Sequence, residues 1–294
     1  MHFILGNDWA GSLFLLPWFV GFFGLTLGPA LASLYLSFTR FELLDSPRWV
    51  GWANYARLAG NDPTFAASLG VTSLYVVLSV PLKLGFALTV ALLLNRGSRL
   101  LPFYRAVFYL PSLIGASVAI SILWRLAFSG DGLFNQVLAL AGLRGINWVG
   151  TPETALYTLV LLSVWQFGSP MVIFLAGLRQ IPRDMYEAAS LDGASTVRQF
   201  FSVTLPLLTP VVFFNAVVQT IDAFKAFTPA YIISQGSGGP SNATLFYTLY
   251  IFQQAFSFFH MGYAAALAWV LVVIVAAVTA LTFLSARYWV HYDD

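Results

Sequence analysis

The sequence predicts an all-α membrane protein with six transmembrane helices, and its composition and charge spacing support this fold class. Of the 294 residues, 59% are hydrophobic, whereas a soluble domain is about 45–50% apolar. Charged residues make up only 9% of the chain and are absent from residues 9–39, 106–124, 154–178, 199–221 and 226–286. A helix needs about 20 apolar residues to cross a bilayer, so each interval can hold a span. Helices are expected because a backbone in lipid must satisfy its own hydrogen bonds.

The predicted spans form one membrane domain over residues 1–294, with a core at 68–286. We place the spans at 11–38, 68–94, 104–128, 154–178, 205–232 and 261–286. Basic residues in short loops favour the cytoplasmic side. With the amino terminus inside, the inner loops hold Arg96, Arg99, Arg105, Arg179, Arg183, Arg198 and Arg287, against Arg40, Arg48, Arg57 and Arg144 outside, or five with Arg125. This bias predicts that both termini are cytoplasmic.

A charged insert separates the fourth and fifth apolar runs. Residues 183–191 predict a short amphipathic helix, and Pro182 fits its first turn, where the missing N–H costs nothing. Asp192-Gly193 is a turn signal, and a second short helix is expected from Thr196 to Phe201. A helix-turn-helix with small residues on one face suits docking into a groove on a partner.

The insert also carries residues at a fixed spacing: Glu187-Ala188-Ala189, three residues, Gly193, nine residues, Val203, one residue, and Leu205-Pro206. This pattern resembles the loop shared by the membrane subunits of ABC importers, in which the loop faces the cytoplasm and binds the ATPase subunit. The resemblance implies the type I importer permease fold and a coupling loop at 179–206. It assigns ATPase coupling to Glu187, Ala188, Ala189, Asp192, Gly193, Leu205 and Pro206.

Further matches cover nearly the whole chain and resemble the carbohydrate-uptake branch of these permeases. They include Tyr109-Leu110-Pro111, Trp124, Gly132, Asn135, Trp148, Trp165, Leu175–Leu178, Ile181-Pro182, Asp192–Ala194, Gly238–Pro240 and Gly262–Ala264. The resemblance implies a multi-pass sugar permease in the cell membrane of a prokaryote. Its implied partners are a second permease in a heterodimer, two ATPase subunits and an extracellular or periplasmic sugar-binding protein. No cofactor is expected in this chain, because ATP and magnesium would bind the ATPases.

Polar residues in the fifth predicted span are candidates for the substrate path. Asn215, Gln219 and Asp222 are spaced i, i+4 and i+7, on one helix face, and Lys225 can pair with Asp222. Amide groups both donate and accept hydrogen bonds, which suits sugar hydroxyls. The alternative is that these groups join neighbouring helices. A single Lys225 beside Asp222 slightly disfavours a strongly anionic cargo.

Three further residues inside the spans could have a functional role. Trp165 and Gln166 precede Pro170, which is expected to kink the fourth span, and an aromatic ring beside an amide suits a pyranose, although packing is the alternative for the tryptophan. Lys83, in the second span, requires a cavity, a carboxylate or access to the membrane edge. The sequence does not choose among these.

No catalytic or metal site is predicted. The chain has no cysteine, and His2, His260 and His291 lack metal-ligand spacing. There is no Walker lysine loop, so energy must come from another subunit or an ion gradient. Ser117 has no histidine in the spans to act as its base. A gradient-driven secondary transporter of a small polar solute, using Asp222 and Lys225, is therefore the alternative, and an intramembrane enzyme is weaker still. The net charge of +2 is too small to indicate nucleic acid.

Overall fold

The computed structural model describes residues 8–60, 62–95, 100–115 and 117–291. Within these ranges the chain is mainly helical, with one short antiparallel pair, β1 (Thr39–Arg40) and β2 (Arg48–Trp49). Contacts divide the chain into two compact units, Met1–Asp62 with Ile251–Val272, and Pro63–Tyr250 with Val273–Asp294. The single membrane domain over 1–294 stays a prediction. Arg96 and Arg99 of the predicted inner loop lie outside the described residues.

The described residues form fifteen α-helices. In order they are α1 (Asp8–Val20), α2 (Gly28–Ser37), α3 (Ala53–Gly60), α4 (Pro63–Asn95), α5 (Leu101–Ile114), α6 (Val118–Ala127), α7 (Leu133–Leu140), α8 (Pro152–Trp165), α9 (Gly168–Gln180), α10 (Arg183–Leu191), α11 (Thr196–Gln199), α12 (Leu205–Phe224), α13 (Thr228–Ile233), α14 (Tyr247–Phe252) and α15 (Met261–Trp289). The described residues also contain three π-helical segments, at Gly21–Leu27, Phe200–Thr204 and Gln253–Ser257.

The described residues contain enough apolar helix for the predicted membrane fold. Four helical segments are each long and apolar enough to cross a membrane, and the number is six if each of two bent helix pairs is one span. The four are Leu13–Ser37, Pro63–Asn95, Thr196–Ile233 and Met261–Trp289. The all-α membrane fold class is therefore confirmed, and the first, second, fifth and sixth predicted spans each coincide with one of these segments.

The third predicted span, 104–128, is not one continuous helix. In the described residues two helices, α5 and α6, occupy this range. Ser117 begins α6 as its N-cap, with extended backbone, and its hydroxyl accepts a hydrogen bond from the Ile120 amide at 3.3 Å. A hydropathy count does not detect this restart, because Gly115 and Ser117 interrupt the helix without adding charge.

The fourth predicted span, 154–178, is also broken, but not where the sequence indicated. α8 and α9 are bent by 43°, and the break lies at Gln166 and Phe167, before Pro170. Pro170 occupies the first turn of α9, where its missing N–H has no intrahelical partner to lose. The predicted kink is therefore present, and the proline lies just beyond it.

A buried apolar cluster holds α4, α9 and α12 together in the second unit. Ala87 and Ala91 of α4 pack with Met171 and Phe174 of α9 and with Leu208 of α12, all at 0–1% exposure. Alanine allows neighbouring helix backbones to approach closely, which favours association inside a membrane. This packing fixes the helices that line the cavity described below.

The first unit is held by polar contacts between its helices and loops. The Asn54 side-chain amide donates to the carbonyls of Ser37 and Thr39 at 2.8 and 2.9 Å. The Arg57 guanidinium lies 4.1 Å above the ring of Tyr263, and the Tyr263 hydroxyl donates to the carboxylate of Asp62. These contacts tie α3 and the start of α15 into one unit.

Candidate functional site

The predicted helix-turn-helix is present, and local hydrogen bonds determine its shape. Helix α10 spans Arg183–Leu191, as predicted, with Pro182 as its N-cap. The helix ends in a left-handed turn at Gly193, whose φ is +75°. The Gly193 amide donates to Ser190 O at 3.0 Å and the Ala194 amide donates to Ala189 O at 2.9 Å. This pair of bonds is a Schellman cap, which explains the glycine at this position of the motif.

Side chains then connect the turn to the helix that follows it. The Gln199 amide donates to Ser190 Oγ at 2.9 Å and to the Ala194 carbonyl at 3.1 Å. The hydroxyls of Tyr186 and Thr204 lie 3.0 Å apart. Helix α10 is therefore hydrogen-bonded to the start of the fifth predicted span and can move together with it.

The outer face of this element does not pack on the described part of its own chain. Glu187, Ala188, Asp192 and Gly193 are exposed, Ala189 is half-buried, and no residue of α10 is buried. Large apolar side chains stand beside them, with exposures from 50 to 89%: Met185, Leu191, Val197 and Phe201. A group of exposed apolar side chains on a charged element is typical of a protein–protein contact surface. This surface is called the coupling face below, and its ATPase contacts stay a prediction.

Leu205 and Pro206 lie where the insert enters α12. Leu205 directly follows the π-helical segment Phe200–Thr204, and Pro206 is the second residue of α12. A proline cannot supply its amide to the helix, and the looser π-helical turn accommodates that loss. The Pro206 carbonyl accepts a hydrogen bond from the Thr209 hydroxyl at 2.6 Å. The backbone therefore passes from the insert into α12 without a flexible joint.

A cavity of about 610 Å³ lies in the second unit. Residues of α4, α5, α8, α9 and α12 line it, together with the segment 225–229. Its polar lining comprises Tyr75, Lys83, Ser112, Ser163, Gln166, Ser169, Gln219, Asp222, Lys225 and Thr228. Such a mixture of hydroxyls, amides and charges among apolar walls can bind a polar solute within a membrane protein.

The cavity brings together three of the five predicted path residues. Gln166, Gln219 and Asp222 line it, whereas Trp165 and Asn215 are not among its lining residues. Trp165 packs against Trp124, with ring centroids 5.9 Å apart. Asn215 is 0% exposed, and its amide atoms have no hydrogen-bond partner among the described residues. Asn215 lies one turn before Gln219 on α12, and the cavity begins only beyond Asn215.

The break between α8 and α9 is stabilised by a residue that the sequence did not reveal. The Ser112 hydroxyl of α5 donates to the Gln166 carbonyl at 2.9 Å and accepts from the Ser169 amide at 3.0 Å. These are backbone groups that the interruption of the helix frees, and in a membrane they need protein partners. One side chain thus supports the bend that brings Gln166 and Ser169 to the cavity.

Lys83 is the residue whose role the sequence left open, and the structure places it in the cavity. It is half-buried, and Asp222 is the charged group that acts on it. The Lys225 ammonium also lies 3.6 Å from the Asp222 carboxylate, so the expected pairing of these two residues is present. Of the three conditions considered for Lys83, the cavity is met, and Asp222 lines the same cavity.

The described residues contain no cluster of three His, Asp or Glu side chains suited to bind a metal ion. Ser117, the serine considered as a nucleophile, caps α6 through its hydroxyl. The polar cavity and the exposed insert are therefore the two candidate functional regions.

Comparison with known proteins shows the family of the chain. Residues 83–290 match the model of the family described as binding-protein-dependent transport system inner membrane component. The chain is 52% identical over 289 residues to the probable ABC transporter permease protein YesP of Bacillus subtilis, covering 98% of this chain and 94% of that protein. It is 35% identical to the lactose transport system permease protein LacF of Rhizobium radiobacter, covering 95% of each.

A solved structure shares the fold. A chain of the bacterial alginate ABC transporter, in complex with an alginate pentasaccharide-bound periplasmic protein, superimposes with a TM-score of 0.82 at 19% identity, covering 96% of this chain and 95% of that one. These matches support a binding-protein-dependent ABC permease and not the gradient-driven alternative or an enzyme. The chain belongs to the family of binding-protein-dependent transport system inner membrane components.

Proposed function

We propose that this permease conducts a saccharide through the cavity and takes its energy from ATPase subunits bound at the coupling face. The observation that carries the proposal is that one helix, α12, connects the motif to the cavity. Helix α12 begins at Leu205 and Pro206 of the motif and carries Gln219 and Asp222 into the cavity wall. A displacement of the insert is therefore passed along a continuous helix to the groups that contact the solute.

The chemistry of the cavity supports a sugar as the solute. Amide and hydroxyl side chains dominate its polar lining, and they can donate to and accept from the hydroxyls of a saccharide. The relatives point in the same direction, since they include permeases named for lactose and arabinooligosaccharides. Gln166 and Gln219 are the residues that we assign to hydroxyl binding.

The proposed partners are the other subunits of a binding-protein-dependent importer. Two ATPase subunits would bind ATP and magnesium and would close on ATP binding, moving α10 as a rigid element. A second permease, in a heterodimer, would complete the path, and a periplasmic or extracellular binding protein would deliver the sugar. With these partners, the coupling face and both termini would lie in the cytoplasm, and the distribution of arginines supports this orientation.

The test is Gly193→Asp, with Gly142→Asp as a matched control. Both glycines follow a helix in the left-handed conformation, with φ of +75° and +72°, and neither has an atom within 4 Å of the added Cβ. Gly142 carries the same pair of capping hydrogen bonds, from Gly142 to Ala139 and from Leu143 to Leu138. The backbone strain of about 1–2 kcal/mol is therefore common to both variants.

We expect Gly193→Asp to lower ATP-dependent uptake by about tenfold, equivalent to about 1.4 kcal/mol. Gly142→Asp should stay close to the wild-type rate, because its turn belongs to the segment after α7 and not to the coupling face. Uptake is measured in cells that produce the complete importer, and assembly is checked by co-purification. A Gly193→Asp complex that assembles and transports normally would show that the coupling assignment is wrong.

A further inference from the structure

The charges that line the cavity do not balance. The sequence contains only two lysines, Lys83 and Lys225, and both line the cavity, whereas none of the arginines that the structure describes does so. The acidic residue of the lining is Asp222. Two ammonium groups and one carboxylate leave an excess of one positive charge where a solute would bind.

Lys83 lies far from both ends of its membrane-spanning helix, whereas a charge at the membrane surface would lie near a helix end. It lies 20 residues after Pro63 and 12 residues before Asn95 in α4, which at 1.5 Å per residue is about 30 Å and about 18 Å from the two helix ends. An ammonium group at this depth is costly unless an opposite charge or a water-filled cavity offsets the cost. Asp222 offsets part of it, but the same carboxylate is also within 3.6 Å of Lys225.

The rest of the polar lining adds no ionised group to these three. The groups nearest to the bend, Gln166 and Ser169, are uncharged, and Ser169 lies in the first turn of the 13-residue helix α9. The amino-terminal turn of a helix carries a partial positive charge. The carboxyl-terminal ends of α8 and α12, at Gln166 and Lys225, line the same cavity and carry the opposite partial charge. The helix ends therefore do not decide the sign, and the excess rests on the two lysines. The uncharged polar side chains can bind sugar hydroxyls.

We propose that the saccharide carried through this cavity is acidic and that Lys83 binds its carboxylate. The structure favours one carboxylate per bound segment, as in a hexuronate, because the excess is one charge, whereas a phosphate ester brings about −1.5 to −2. The proposal rests on the proposed function, since it names the class of sugar. It differs from the expectation from sequence, which compared Asp222 with Lys225 alone and slightly disfavoured a strongly anionic cargo.

The experiment uses the complete importer with its binding protein in proteoliposomes that contain ATP. The probes are a hexuronate-containing disaccharide, the same disaccharide with its carboxyl reduced to an alcohol, and a sugar phosphate of similar size. The measured quantity is the ratio of the initial uptake rate of the acidic disaccharide to that of its reduced form. A ratio cancels any general loss of activity, so it reports the recognition of charge.

We expect the wild type to favour the hexuronate over both other probes. Lys83→Gln should lower the ratio by about tenfold, and Lys83→Arg should retain most of it because the charge is kept. Arg144→Gln, at an exposed position outside the cavity lining, should leave the ratio unchanged. If Lys83→Gln fails to assemble, Asp222→Asn is used instead, and it should raise the ratio by removing the competing carboxylate.

The outcomes separate this inference from the proposed function. Uptake of the reduced disaccharide but not of the hexuronate would overturn the acidic-sugar proposal and leave a sugar permease. The acidic-sugar proposal also fails if Lys83→Gln lowers both rates equally, or if Asp222→Asn lowers the ratio. A preference for the sugar phosphate would overturn the assignment of a carboxylate. Failure of every saccharide to enter with ATP and binding protein would overturn the proposed function itself.

Discussion

The helix-turn-helix and the cavity are both polar regions of an apolar chain, and they are built in opposite ways. The bonds that shape the helix-turn-helix join residues close in sequence, and its longest link, from Tyr186 to Thr204, spans 18 positions. In the cavity, Ser112 reaches the backbone 54 and 57 positions away. The lining runs from Tyr75 to Phe246. A local element can be recognised from a short motif, whereas a site built from distant residues depends on how whole helices pack.

The largest expected effect tests whether the cavity depends on helix packing. At Gly168 an added Cβ would collide with the Phe108 carbonyl and lie 2.6 Å from Tyr109 Cα, so α9 could not stay against α5. We expect Gly168→Val to destabilise the protein by about 3 kcal/mol and to abolish uptake. Gly70→Val, where no atom lies within 4 Å of the added Cβ, is the control. Both are measured as yield of assembled complex, and a normal yield for Gly168→Val would contradict the packing described here.

A second prediction concerns the serine that supports the bend. Ser112→Ala leaves the Gln166 carbonyl and the Ser169 amide without that partner, which should cost about 1–3 kcal/mol. Ser129→Ala is the matched control, because the Ser129 hydroxyl donates to Leu126 within the same turn. Thermal unfolding of the detergent-solubilised importer gives the measurement. Equal stability of the two variants would mean that the bend does not need Ser112.

A third prediction compares two amide side chains on α12, one in the cavity wall and one buried away from the cavity. Gln219 lines the cavity, whereas Asn215 is fully buried away from it. Gln219→Met should raise the half-saturating sugar concentration about tenfold, since it removes hydrogen bonds worth about 1.4 kcal/mol. Asn215→Leu should leave uptake intact and be neutral or stabilising, because an apolar group of similar shape replaces a buried amide. A loss of sugar affinity in Asn215→Leu but not in Gln219→Met would reverse the assignment.

The smallest expected effect tests whether the helix-turn-helix moves as one piece with α12. Tyr186→Phe and Thr204→Val each remove the hydrogen bond between these two residues, which is worth about 0.5–1.5 kcal/mol. We expect about a threefold fall in sugar taken up per ATP hydrolysed for either variant, and no further fall when both are combined. Thr204→Ser keeps the hydroxyl and should retain coupling. Additive effects in the double variant would show that the two hydroxyls act independently.

The predictions from sequence were most accurate where local rules suffice. The bounds of α10 and the turn at Gly193 follow from spacing within one segment. The third span was wrong as one helix, because hydropathy does not register the restart at Ser117. The break in the fourth span was expected at Pro170 but lies at Gln166 and Phe167. Ser112 carried no signal at all, since a serine in an apolar helix is common and its partners are far along the chain.

The sequence by itself determined that this is a helical membrane protein with a charged insert of the importer type, because long charge-free intervals and a fixed local spacing express those properties directly. Only the tertiary structure decided which polar residues meet. Lys83, Gln166, Gln219 and Asp222 reach one cavity, while Asn215 and Trp165, equally polar or aromatic in the sequence, do not line it. The physical reason is that the rotation and bend of each helix are set by packing against distant partners, and one chain's periodicity does not contain that information.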